Sequence, residues 1–182
     1  MTTYRTIVAD PPWKVHQPPA LGSSSGFPKV GPNQPLPYPS MSVRDIAALR
    51  VADLADENAH LYIWTINRYV EQTYAIARAW GFTPSTLLTW CKTPMGLGAG
   101  GAYVLTTEHV LFARRGRGAF EERHPSSWFQ WKRGKHSVKP PEFLDIVERV
   151  SPGPYLELFA RRERPGWDHW GNEMPTAVAL GA

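Results

Sequence analysis

Four consecutive residues, Asp10-Pro11-Pro12-Trp13, combine a carboxylate, two conformationally fixed peptide units and a large flat ring. They follow Thr6-Ile7-Val8-Ala9, a short apolar run that reads as a buried strand ending at a polar residue. Proline cannot continue a strand ladder and fixes its own φ, so the strand stops there and Asp10 and the nearby carbonyls are held rigidly. A carboxylate beside a carbonyl can accept both hydrogens of an amine. A flat ring next to them can grip the plane of a base. An aromatic amine is a poor nucleophile because its lone pair is delocalised into the ring. Two acceptors on its hydrogens favour a pyramidal nitrogen whose lone pair points at an electrophile, so alignment and electrostatics would carry the acceleration. The same residues also suit a turn carboxylate and a core aromatic, and local chemistry leaves both readings open.

These residues need a scaffold, and the chain reads as strands alternating with helices. Strands are expected at 6–9, 59–64, 85–90, 109–113 and 155–159, with a sixth beginning near Trp167. Ser42-Val43-Arg44-Asp45 resembles a capping box that opens a short helix through Leu49. Asn67 to Trp80 has helical spacing and Gly81 as its stop. A third helix follows Pro140-Pro141 and ends at Ser151-Pro152-Gly153-Pro154. This alternation predicts an α/β sheet with helices on its faces, in which ligands bind beyond the carboxyl ends of strands. Asp10 lies at such an end. Residues 14–39, rich in Pro, Gly and Ser, read as a long loop serving as an active-site lid. Glu157 is out of place in an apolar strand, and that predicts a polar partner.

Composition bounds the rest. The 182 residues fit one domain over 1–182, with no apolar run of membrane-spanning length and no room for a signal peptide before the first strand. Cys91 is the only cysteine, which excludes an intrachain disulfide and multi-cysteine zinc sites and is compatible with a reducing cytoplasm. The histidines show no metal spacing, so no metal is expected. The formal net charge is only +4. Between Arg114 and Lys139, however, eight basic residues face only Glu121 and Glu122, a net +6 that leaves −2 for the rest. Phe120, Trp128, Phe129 and Trp131 interleave with those charges. Cations among aromatics suit phosphate contact plus stacking on unpaired bases, and a solvated basic loop is the alternative. Gly96-Leu97-Gly98-Ala99-Gly100-Gly101 fits a dinucleotide-binding pattern, but Ala102-Tyr103-Val104-Leu105 reads as extended, and without a helix there is no phosphate site of that kind.

Asp10-Pro11-Pro12-Trp13 resembles the signature of the messenger-RNA adenosine methyltransferase (MT-A) family, and the likeness continues in order along nearly the whole chain. Leu36-Pro37-Tyr38-Pro39-Ser40-Met41-Ser42, Leu61-Tyr62-Ile63-Trp64, Trp90-Cys91-Lys92-Thr93, His136-Ser137-Val138-Lys139-Pro140, Glu157-Leu158-Phe159-Ala160-Arg161 and Gly166-Trp167-Asp168-His169-Trp170-Gly171-Asn172-Glu173 match successive family blocks. The resemblance implies a Rossmann-like, S-adenosylmethionine-dependent methyltransferase fold in permuted order, with the catalytic strand first and the cofactor strand late. It implies methylation of the N6 amine of adenine in nucleic acid. Asp10, Pro11, Pro12 and Trp13 would form the catalytic segment, with Asp10 and the Pro11 backbone holding the amine. Lys139 would contact the donor's carboxylate. Asp10, Glu157, Phe159, Arg161, Asn172 and Glu173 would complete the donor site. Trp13, Tyr38, Lys92, Arg133, Lys135 and His136 would meet the substrate.

The chain begins just before the catalytic strand, so it is expected to lack an upstream donor-binding segment, and no glycine-rich loop follows Phe159. A duplex substrate must present an unpaired or flipped adenine. DNA is favoured over RNA, with selectivity residing in loops 14–39, 94–107 and 114–135 or in a partner subunit or homo-oligomer. A catalytically silent nucleic-acid-binding subunit and methylation of another base amine are the competing readings.

Overall fold

Alternation along the central strands decides the architecture. In β1 (Tyr4–Ala9) and β2 (Ala55–Thr65), Ile7, Ala9, Leu61 and Ile63 point to one face, and Val8, Tyr62 and Trp64 to the other. All seven are buried. A strand apolar on both sides must lie between two layers, and it does. The computed structural model describes residues 3–14, 39–93, 103–134, 138–171, 178 and 180. They form one sheet of seven strands in the order β5-β3-β4-β2-β1-β6-β7. The remaining strands are β3 (Thr83–Thr93), β4 (Thr107–Arg115), β5 (Trp128–Lys132), β6 (Tyr155–Leu158) and β7 (Trp167–Trp170). Only β4 runs antiparallel to its neighbours, so the sheet is mixed.

Helices α1 (Val43–Ala48) and α2 (Val70–Ala79) belong to the Ile7 face. Ser42 caps α1 as expected, its Oγ accepting from the Asp45 amide at 3.1 Å, while the Asp45 carboxylate accepts from Ser42 Oγ at 2.7 Å in place of the backbone amide of a full capping box. Gly81 ends α2 at φ +83, a conformation that costs other residues. Helix α3 (Glu142–Val150) covers the Val8 face with Phe143, Leu144 and Val147. One feature of the expected layout is corrected: residues 128–132, read as part of a basic loop, form edge strand β5. Strand β4 starts at Thr107, two residues before the expected start, and residues 103–105 before it are not helical.

Six of the seven strands bring a carboxyl end and β4 brings its amino end to one rim of the sheet, and the candidate site lies there.

Candidate active site

Asp10 is the first residue beyond β1, and its amide reaches Leu158 O of β6 at 3.4 Å. Both of its carboxylate oxygens accept hydrogen bonds from Lys139 Nζ at 2.8 Å. Lys139 stands just before Pro140-Pro141 at the amino end of α3, where the helix dipole disfavours a cation. The Asp10 carboxylate offsets that, and so does Glu108, whose Oε2 lies 3.6 Å from the same ammonium. Glu108 Oε1 in turn accepts from Lys92 Nζ at 2.5 Å. Four charges of alternating sign therefore run along the rim, Asp10, Lys139, Glu108, Lys92, each side chain only 17–21 % exposed. The ammonium groups of Lys139 and Lys92 also lie over the Trp64 and Trp90 rings, 5.4 and 5.2 Å from their centroids.

Burial pushes the Lys139 ammonium down, but Asp10 and Glu108 outweigh it and hold its pKa above the ordinary lysine value. Burial pushes the Glu108 carboxyl up, and Lys139 and Lys92 outweigh that and pull it below the usual range. Lys139 and Glu108 are therefore charged at neutral pH. Glu108 escaped the sequence reading because the fourth strand was expected to begin at His109. A glutamate opening an apolar strand was the signal that could have found it.

The prolines shape the backbone as expected. The Trp13 amide bonds to Pro11 O at 2.8 Å, closing a tight turn over Pro12, and Pro12 O accepts from the Met41 amide at 3.0 Å. Each carbonyl keeps a second lone pair. Trp13 differs from the free stacking face read from the sequence. It is 6 % exposed, its Nε1 donates to Trp64 O at 3.0 Å, and its ring stacks on Tyr69 at 5.0 Å. An indole in the core needs a partner for its N–H, and this one joins the Asp10 loop to β2 as a wall of the site.

On the other side of Asp10, Glu157 of β6 is the register neighbour of Val8 and of His169 in β7. Burial first, then Asp10, pushes the Glu157 carboxyl up to about 7 against the pull of Arg162, Arg164 and His169. His169 Nδ1 is buried with no hydrogen-bond partner. Phe159 takes φ +64, which non-glycine residues rarely adopt, and its ring meets Trp170 edge-on at 5.3 Å. Arg161 follows at the same strand end, and Arg162 donates to Lys139 O at 3.1 Å. The structure thus gathers Asp10, Pro11, Pro12, Trp13, Lys92, Lys139, Glu157, Phe159 and Arg161 at one rim. Arg133 is exposed just past β5. Tyr38, Lys135, His136, Asn172, Glu173, the expected lid and the glycine-rich segment lie outside the described residues.

The basic stretch is not one surface. Arg114 and Arg115 end β4 at the opposite edge of the sheet, where Arg115 donates to Ala52 O at 2.8 Å and Arg114 lies over the Phe120 ring. Lys132, Arg133 and Lys139 belong to the rim that carries Asp10. No helix among the described residues is long and apolar enough to cross a membrane, and none of their His, Cys, Asp or Glu residues group to hold a metal.

Comparison with known proteins places this geometry in a family. The MT-A70 family matches residues 4–173. Type II methyltransferase M.MunI from a Mycoplasma species is 29 % identical, over 94 % of this chain and 78 % of its own length. An N(6)-adenosine-methyltransferase MT-A70-like protein of Drosophila melanogaster is 28 % identical, and the human N(6)-adenosine-methyltransferase catalytic subunit METTL3 is 25 % identical. Both alignments cover 94 % of this chain but only 27 % and 28 % of those longer proteins. With its Asp-Pro-Pro-Trp segment at the rim of a mixed α/β sheet, the chain belongs to the MT-A70 family of adenine-N6 methyltransferases.

Proposed function

We propose that residues 1–182 act as a single methyltransferase domain that moves a methyl group from S-adenosylmethionine to the N6 amine of adenine in nucleic acid, DNA in preference to RNA. The observation that carries this is the Asp10 carboxylate, fixed at the strand end by two hydrogen bonds from Lys139. An ammonium at 2.8 Å from both oxygens marks a place suited to an N–H donor. An exocyclic amine entering there gives one hydrogen to Asp10 and the other to Pro11 O, which has a lone pair to spare. Its own lone pair is then directed outward, with no covalent step required. Glu108 is a positioning residue. It lies between the two ammonium groups, 3.6 Å from Lys139 Nζ and 2.5 Å from Lys92 Nζ, and so holds both at the rim.

The residues present fit the donor. Glu157, half-buried with a raised carboxyl pKa, and the partnerless His169 Nδ1 lie on adjacent strands beside Asp10, where hydroxyl groups would satisfy both. Lys139 would pair with the donor's carboxylate. Phe159 and Arg161, with Asn172 and Glu173 beyond β7, would take its adenosine portion. When bound, S-adenosylmethionine supplies an electrophilic methyl group. This assignment reads β1 as the catalytic strand and β6 as the cofactor strand, the permuted order.

The preference for DNA rests on M.MunI, a relative of comparable length whose name places it among type II methyltransferases. The adenine must be unpaired or flipped to reach Asp10. Selectivity is assigned to the rim loops, or to a second subunit, and the setting to the cytoplasm.

Incubation of the purified protein with donor and either DNA or RNA, followed by digestion and mass spectrometry, tests this reading. N6-methyladenine is expected from DNA and is expected to vanish with Asp10→Ala. Retained activity in that variant, or methyl groups on another base, would refute the assignment. Absence of donor binding by calorimetry would favour a silent subunit.

A further inference from the structure

The four aromatic residues that interleave with the basic stretch do not share an environment. Phe120 packs against His60 and Phe112 at the edge of the sheet opposite the rim. Trp128 is 58 % exposed, but it is the register neighbour of Thr89 and stands on the α1/α2 face. Phe129 is buried. Trp131 alone is partly exposed, on the same face as Trp64 and Trp90, and at the rim. Its register neighbour is Lys92, the last charge of the line that starts at Asp10. Lys132 and Arg133, both exposed, follow it directly.

The Trp131 ring is held rather than free. It stacks on Phe129 at 4.6 Å with planes only 2° apart, and His124 meets Phe129 from below at 5.4 Å. Rings stacked between residues i and i+2 of one strand lie across the strand direction. Phe129 covers the ring face turned toward the start of β5, so the opposite face looks toward its carboxyl end. The Trp131 backbone is fixed as well, because its carbonyl accepts from Trp90 Nε1 at 3.1 Å. Lys132 alternates to the other face with Trp128, but Arg133 lies just beyond the strand, and a rigid aromatic plane with an exposed cation two residues on has the composition of a nucleobase-stacking platform with an adjoining phosphate contact.

The geometry points to Trp131 as an outlying subsite for a polynucleotide whose target adenine is at Asp10: Trp131 stacks a base of the same strand, and Arg133, just past the strand end, neutralises a phosphate beside it. This rests on the proposed nucleic-acid substrate. Strands β1, β2, β4, β3 and β5 are successive neighbours, so four inter-strand steps put Trp131 about 19 Å from the Asp10 end. A stacked strand advances about 3.4 Å per nucleotide, so the platform meets a base no more than about six nucleotides from the target, and fewer where the strand is drawn out. The enzyme therefore measures substrate length on one side of the adenine.

The test uses single-stranded oligonucleotides with one adenine, shortened stepwise from either end. Binding is read by fluorescence anisotropy with donor present, and turnover by methyl transfer. In the wild-type protein, shortening one end past the platform is expected to weaken binding about tenfold, with little change in kcat. Trp131→Leu keeps an apolar side chain over Phe129 but removes the stacking plane. It should bind long oligonucleotides about tenfold more weakly, show no further loss on shortening, and bind donor and melt like the wild type. Trp131→Phe should recover part of the difference. A 5-iodouracil placed along that arm should photocrosslink to the peptide carrying Trp131. Unchanged length dependence in Trp131→Leu would overturn the subsite, as would a crosslink mapped to Trp128. If the wild type methylates no adenine in any nucleic acid, the underlying reading fails instead, which separates the two failures.

Discussion

Two buried polar networks sit at opposite edges of the same sheet, and they have opposite characters. Away from the rim, His60 and Ser151 are fully buried and Tyr62 nearly so. Ser151 Oγ bonds to His60 Nδ1 and to Tyr62 OH, each at 2.7 Å, and His60 Nε2 faces Gly118 O at 3.4 Å. Burial pushes the His60 pKa down and the Tyr62 pKa up, so both are neutral at pH 7. Each of these groups has a partner, and the network is closed. At the rim, four charges are held by one another, remain partly exposed, and have acceptor and donor capacity left over. The first network satisfies the cost of burying polar groups and stabilises the fold. The second is incomplete in a way that a bound amine and a bound carboxylate would complete.

The contrast can be broken by changing one group in each network. The largest effect is expected for Asp10→Ala, a loss of about a thousandfold or more in methyl transfer with a melting temperature close to wild type. A wild-type rate would end the distinction. Ser151→Ala should do the reverse. It orphans two buried groups and should cost about 3 kcal/mol in urea unfolding, while kcat at low temperature stays near wild type. A kcat loss larger than its stability loss would tie that network to the chemistry. Glu108→Gln removes the charge between Lys139 and Lys92 and should lower kcat about tenfold without loss of oligonucleotide affinity. Glu157→Gln should have the smallest effect, visible as a pH dependence. The Glu157 carboxyl is raised to about 7 in the fold, so its share of stability is complete in acid and fades as pH climbs through that value. The wild type should lose on the order of 5 °C in melting temperature between about pH 5 and about pH 7, and Glu157→Gln should lose less. Parallel curves would show that Glu157 does not titrate there.

Sequence patterns predicted the parts of the molecule that follow from periodicity. The run 59–64 read as a strand and is one, and the Ser42 cap and Gly81 stop bounded two helices. They failed where tertiary pairing overrides composition. Trp128-Phe129-Gln130-Trp131-Lys132 alternates well enough for a strand, but its charged surroundings made it read as a loop, and only its pairing with β3 reveals it. Asp10 and Lys139 were each singled out, but residues 129 apart in sequence give no local signal that they touch. For Trp13 local chemistry left a stacking face and a core aromatic both open, because the carbonyl of Trp64, which binds its N–H, lies 51 residues away.

The reversed direction of β4 has one more consequence. A parallel strand in its place would send the chain away from the rim before and after the crossing. Instead, β3 ends at Thr93 and β4 begins at Thr107, both on the catalytic edge, with Thr106 O accepting from the Lys92 amide at 3.0 Å. The connection between them is therefore a cassette with both anchors beside the active centre and neither in the core. Its length and composition can drift without altering a single strand register. Within one unchanged scaffold, a segment exchanged at these two anchors would alter what stands beside Asp10 and leave the core as it is.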